Sequence, residues 1–181
     1  ARLASENLRL KQQLDRPKLS PRVTHNPAVR ELLDRTAEAA ENSGPVLVTG
    51  EAGTDVVEAA SDLHRLGGRK HRPLIKLECG VLSADCLLLE LFGEESQPGH
   101  ATVAREGLIH SVDGGTLVLV DIDTIAIPVQ RRLAEMLHAA AAARLRDGST
   151  AREPRVVATT HAELEELVRT NRFAADLFLQ L

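Results

Sequence analysis

The chain of 181 residues has no tryptophan, no tyrosine and only three phenylalanines. Its core must therefore be aliphatic, built from leucine, valine, isoleucine and alanine. Cysteine is scarce too. Cys79 and Cys86 are too few for a disulfide framework and lack metal-type spacing, so they read as reduced, buried thiols of a cytosolic protein. The seven histidines include no pair on one helix face, which argues against a metal site. No apolar run approaches a membrane span, and the N-terminus is too polar for a signal peptide. Positive charge is not in excess either. A net charge of −4 makes the chain as a whole a poor electrostatic binder of nucleic acid. DNA contact is expected only through a further C-terminal domain, and a first residue other than Met suggests a piece of a longer protein. Hydrophobic residues at 43% and charged residues at 27% are ordinary for a soluble globular domain.

What is present is an alternation. Residues 1–17 read as a linker helix ended by Asp15-Arg16-Pro17. Leu3, Asn7, Leu10 and Leu14 fall at d, a, d and a positions, the pattern of a two-stranded parallel coil with Asn fixing its register. Two heptads are short for an independent coil, so a solvated linker helix remains the other reading. Residues 18–181 read as an α/β domain. Helices are expected over 27–42 (Val29, Leu32, Leu33 and Thr36 on one face), 56–66, the segment "SADCLLLELF" with Ser83 as N-cap, 127–146 and "AELEELVRT". Strands are expected in "GPVLVTG", "RPLIKLEC", "GGTLVLVDI" and "PRVVATT". Short apolar runs between amphipathic helices predict a parallel sheet covered on both faces.

The segment "VLVTGEAGTDVVEAA" has the layout of a phosphate loop: an apolar strand, a Gly-rich turn, then a helix. Gly50, Glu51, Gly53, Thr54, Asp55, Val56 and Val57 occupy its turn and helix start. Asp55, Val56 and Val57 stand where the motif has Gly, Lys and Ser or Thr. Val56 offers neither charge nor donor. Asp55 adds a carboxylate, and two like charges at about 4 Å repel by ~1 kcal/mol even in bulk water.

Taken in order, "VLVTGEAGT", "ELFGEE", "GGTLVLVDI", "RVVATTHAELEELV" and "RFAADLFLQL" closely resemble the AAA+ domain of bacterial enhancer-binding proteins, the sigma-54-dependent transcription activators. The resemblance runs from about Val23 to Leu181 and implies a P-loop NTPase-like parallel sheet flanked by helices. It also implies that the chain stops where a small helical lid would begin. Carried over by motif, it places Val120 and Asp121 at the Walker B Asp-Glu and His161 at the sensor Asn. Ala174 and Gln180 fall at the two arginines that reach a neighbouring subunit's phosphate. The loop that touches sigma-54 in active members carries G-A-F-T-G-A; here Gly93 is followed by "EESQPGHATVAREG", without its Phe or Thr, so contact with sigma-54 is not expected.

These departures lead to the expectation of a catalytically inactive AAA+ domain, not an enzyme, with no cofactor and no metal. It would serve a cytoplasmic transcription regulator as a structural, oligomerisation or interaction module, dimerising through its N-terminal helix and meeting other regulatory domains of the same protein. The alternative keeps altered nucleotide binding, of ATP or a cyclic di-nucleotide, as a regulatory signal, or a weak ATPase of a sigma-54-dependent activator. Arg22 and Arg30, Asp113, and Arg131, Arg132, Arg144 and Arg146 read as surface charge, turn chemistry and a solvated helix face.

Overall fold

Four apolar segments form one parallel sheet in the computed structural model, which describes residues 27–94, 105–147 and 153–181. They are β1 (Val46–Thr49), β2 (Leu74–Glu78), β5 (Thr116–Val120) and β6 (Arg155–Thr160), in the order β1-β6-β5-β2. The two-residue strands β3 (Gly93–Glu94) and β4 (Arg105–Glu106) pair antiparallel apart from it. Register is set by Thr49 opposite Thr160, Thr116 opposite Arg155 and Glu78 opposite Val120. Parallel pairing puts the C-terminal ends of all four strands at one edge, where α/β sheets place their ligand sites.

The central strands β5 and β6 are buried at every residue, so both sheet faces are covered. One face sends Leu117, Leu119, Val156 and Ala158 into the main core with Leu87, Leu91, Leu133 and Leu177. The other packs Val118, Val120 and Val157 against Ala40, Ala60 and Leu63. The expected aliphatic core is found, with Phe173 as its buried aromatic member. Cys79 is buried as expected, and desolvation pushes its thiol up to about 12, which leaves it inert; the expectation fails at Cys86, which is exposed near the start of α3.

The helices are α1 (Pro27–Glu41), α2 (Val56–Leu66), α3 (Ala84–Phe92), α4 (Leu108–Ser111), α5 (Ile127–Asp147), α6 (Leu164–Arg169) and α7 (Ala175–Phe178). The expected helices appear within a few residues of their predicted ends, and the Ser83 hydroxyl accepts from the Cys86 N–H as an N-cap should. The expected apolar face of α1 is only partly right. Thr36 and Ala40 are buried, while Leu32 is 47% exposed. The chain divides into two compact units, Ala1–Leu33 and Asp34–Leu181. The heptad residues Leu3, Asn7, Leu10 and Leu14, the Arg22 reading and most of the "EESQPGHATVAREG" segment lie outside the described residues.

Two buried polar side chains hold the frame together. Arg155, at the start of β6, donates to the carbonyls of Ala39, Ala40 and Gly44 and so ties the end of α1 to the sheet. Gln130 on α5 is fully buried; its amide N–H groups reach the carbonyls of Ile125 and Arg172, and its Oε1 accepts from the Ala174 N–H. The Asp113-Gly114-Gly115 turn behaves as expected of turn chemistry, with Asp113 at φ 44° and Gly114 at φ 71°. Gly115 is required there, because a Cβ would lie 2.1 Å from the Pro73 carbonyl oxygen.

Candidate phosphate-loop site

Strand β1 ends at Thr49, and the chain turns through Gly50–Asp55 into α2 at the C-terminal edge of the sheet. The turn closes on itself. Thr54 donates to the Glu51 carbonyl through both its N–H (3.0 Å) and its hydroxyl (2.8 Å), and the Val56 N–H reaches the Thr54 carbonyl at 3.1 Å. Gly53 has φ 93°, which favours glycine. At Gly50 a Cβ would lie 2.3 Å from Thr54 Oγ1 and 2.8 Å from Val56 Cγ1, so no side chain fits. The loop therefore needs both glycines for its shape. The Thr54 N–H is spent on the Glu51 carbonyl.

Asp55 does not simply face outward. Its Oδ1 accepts from the Glu58 N–H at 2.9 Å and caps α2. The carboxylate thus occupies the first turn of the helix, where backbone N–H groups and the helix dipole favour negative charge. A phosphate arriving at this helix start must compete with it. Val56 beside it is 4% exposed, and Val57 is half-buried against the smaller core cluster.

Across from the loop, His161 follows β6. Its Nδ1 lies 3.1 Å from the carbonyl oxygens of both Gly50 and Glu51. Two carbonyls can only accept, so Nδ1 carries the proton and donates to them. His161 therefore pins the loop entry to the end of β6. An open cavity of about 560 Å³ lies beside this link, walled by Leu47, Thr49, Gly50–Ala52, His161–Glu165 and Phe178. The structure brings the loop and His161 together, as their shared strand edge requires.

Val120 ends β5 and is packed in the smaller apolar cluster, 4% exposed. Asp121 follows in a left-handed conformation, φ 54° and ψ 56°, which Asp tolerates better than most residues. Its carbonyl accepts from both the N–H and the hydroxyl of Thr124. The side chain that links the strand ends is instead Asp123, whose Oδ1 takes a short hydrogen bond from the Thr160 hydroxyl. Thr160 Oγ1 in turn accepts from the Ala162 N–H.

Ala174 and Gln180 are placed against α5 and not beside the loop. Ala174 is held by Gln130, and Gln180 Nε2 lies 3.4 Å from His138 Nδ1. The sequence reading missed Asp123, Thr160 and Gln130. A glutamine at an otherwise apolar helix position was the available signal for the last. Arg144, read as solvated, is half-buried and donates to the Ser43 carbonyl. Arg132 lies over the Phe92 ring at 5.5 Å and pairs with Glu135.

A magnesium ion held by the protein at the end of β5 does not fit these residues. Val120 there is apolar and buried, and among the described residues no group of three or more His, Cys, Asp or Glu is placed to hold a metal. Phosphate groups fit in part, through the backbone of a glycine-shaped turn opening a helix.

The model of the sigma-54 interaction domain matches residues 22–181. The chain is 35% identical over 161 residues to the Nif-specific regulatory protein of Azotobacter vinelandii, covering 88% of this chain and 31% of that protein. It is 37% identical to the transcriptional regulatory protein ZraR of Klebsiella oxytoca, covering 88% of this chain and 36% of ZraR. The chain thus spans about a third of the length of these curated relatives. Among solved structures, NtrX from Brucella abortus in complex with ATP superposes with a TM-score of 0.75 at 20% identity, covering 99% of this chain and 41% of NtrX. The P-loop NTPase domain of a sigma-54 activator from E. coli gives 0.57 at 19% identity, covering 87% and 91%. The fold is of the AAA+ P-loop NTPase type.

These findings correct the expectation that the chain is not an enzyme. Its relatives are sigma-54 activators, whose domain of this kind is ordinarily an ATPase. The physical reason is that a phosphate loop works through its backbone and helix start as well as through its lysine. Replacements at side chains therefore do not by themselves carry the expectation of an inactive domain.

Proposed function

The chain belongs to the sigma-54 interaction domain family, and on that premise we propose that it is the nucleotide-responsive AAA+ domain of a cytoplasmic sigma-54-dependent transcription regulator. Nucleotide acts as a weakly held signal that biases association with other copies and with neighbouring regulatory domains. The observation that carries this reading is the strand–loop–helix at residues 46–66, with the cavity of about 560 Å³ beside it. NtrX, of the same fold, has been solved with both ADP and ATP, which supports nucleotide as the class of ligand.

In this reading the chain's own groups do limited work. Gly50 and Gly53 let the backbone approach the phosphates, and the start of α2 supplies the favourable field. His161 holds the loop entry in place. Asp55 opposes the ligand and keeps binding weak. A second element of the proposal is self-association through Leu3, Asn7, Leu10 and Leu14 as one face of a parallel coil.

Sedimentation of the whole chain and of a version lacking residues 1–14, each with and without millimolar ATP–Mg²⁺, tests the reading. We expect the whole chain to dimerise reversibly, ATP to raise the associated fraction, and the shortened chain to associate less. Two monomers indifferent to ATP would refute it.

A further inference from the structure

The turn between β1 and α2 pairs its own donors. The Glu51 carbonyl accepts from the Thr54 N–H at 3.0 Å and from the Thr54 hydroxyl at 2.8 Å, and His161 Nδ1 lies 3.1 Å from the same oxygen. One carbonyl offers two lone pairs, so these donors crowd a single acceptor. The Thr54 hydroxyl also lies across Gly50, where a Cβ would be 2.3 Å from Thr54 Oγ1. Farther on, the Val56 N–H is turned to the Thr54 carbonyl and the Glu58 N–H to Asp55. The amides of Thr54, Val56 and Glu58 are therefore committed inside the loop and the first helical turn.

A backbone N–H carries one hydrogen, and an amide engaged in this way has none to offer an oxygen anion. Phosphate binding at a strand–loop–helix draws on such amides, so the internal contact and the ligand exclude each other. The parts needed for opening are in place. Glu51 and Thr54 are both exposed, where water can replace the lost hydrogen bond. Gly53 between them has φ 93° and nothing within 4 Å of its Cβ position, so this joint turns free of packing. His161 Nδ1 also reaches the Gly50 carbonyl, and that bond survives when the Glu51 peptide turns away.

We propose that the Thr54–Glu51 contact is an autoinhibitory latch, which holds the loop closed and must release before the loop takes phosphate groups. The inference rests on the nucleotide reading above and adds its regulation. Apparent affinity is the intrinsic affinity scaled by the fraction of open loop. Loosening the latch then raises affinity without touching the ligand. The Thr54 hydroxyl is the part that a substitution removes cleanly, because every residue except proline keeps the N–H.

Amide hydrogen exchange at position 54 of the isotopically labelled whole chain reads the open fraction, and calorimetric titration with ATP–Mg²⁺ reads affinity. Thr54→Val keeps the shape of the side chain and removes the hydroxyl. One hydrogen bond is worth about fivefold, so the position-54 amide, corrected for its intrinsic rate, should exchange about fivefold faster in T54V. ATP should bind tighter by the same factor, since both measurements count the same opening. Thr54→Ser keeps the hydroxyl and should stay within about twofold of the parent in both. Thr54→Ala replaces the valine variant where valine distorts the turn. A Thr54 amide exchanging at the free rate in the parent would overturn the latch. So would weaker ATP binding by T54V with the serine variant at parental affinity, because the hydroxyl would then be a ligand contact. ATP bound by neither protein would contradict the nucleotide reading, while the exchange rates alone uphold or overturn the latch.

Discussion

Asp55→Gly combined with Val56→Lys is expected to tighten ATP binding about a hundredfold, read by calorimetric titration. Two contributions add. Removing the carboxylate at the start of α2 relieves a like-charge repulsion of ~1 kcal/mol or more. A lysine ammonium meeting the phosphates supplies a charge-assisted contact worth roughly 1.5–3 kcal/mol. Lysine alone gains less, because it sits beside Asp55 and pairs with it. The double change also has a cost without ligand. Exchanging the Asp55 cap for glycine destabilises the helix start by only about 0.3 kcal/mol, but a buried valine is also exchanged for a chain that must reach solvent. The variant should therefore melt lower than the parent without ATP and higher with it, by mass action. An affinity unchanged by the pair would mean that nucleotide does not use this loop.

Arg155→Met is expected to destabilise the fold by about 3 kcal/mol, since removing one partner strands the buried groups it served. The guanidinium joins the carbonyls of Ala39, Ala40 and Gly44 to the start of β6, and methionine can donate to none of them. At roughly 2–4 °C per kcal/mol for a domain of this size, the melting temperature falls by about 10 °C. Thermal unfolding followed by circular dichroism measures it. A loss under about 3 °C would show that water replaces the guanidinium without penalty and that Arg155 is no clamp.

The frame was legible because its signals are local and redundant. "VLVT", "TLVLV" and "RVVATT" are short apolar runs that only a doubly covered sheet accommodates, and Ser83 marks a helix start by its own hydrogen bond. The small elements were not legible. The pairing of β3 with β4 and the four-residue helices Leu108–Ser111 and Ala175–Phe178 follow from tertiary packing and carry no period of their own. In the site, the glycines and the strand–loop–helix order were readable, and so was the place of His161 at the same edge. Which way Asp55 turns was not. A carboxylate before a helix reads equally as an unpaired charge or as a cap, and its distance to the Glu58 N–H decides for the cap. Gln130 and Arg155 escaped for a related reason: one polar residue in an apolar stretch says nothing about which distant carbonyls it will meet. The step from missing side chains to missing activity failed because it weighed side chains alone, whereas the family's phosphate loop also binds through its backbone.

The most direct test of nucleotide response at this edge is a titration of the isotopically labelled whole chain with ATP–Mg²⁺, followed by amide and histidine-ring resonances. The account predicts saturable shifts at Gly50–Glu58 and His161, with half-saturation near millimolar ATP, about −4 kcal/mol of binding free energy. Unmoved loop and His161 resonances at about 10 mM ATP, or shifts confined to another face, would contradict it.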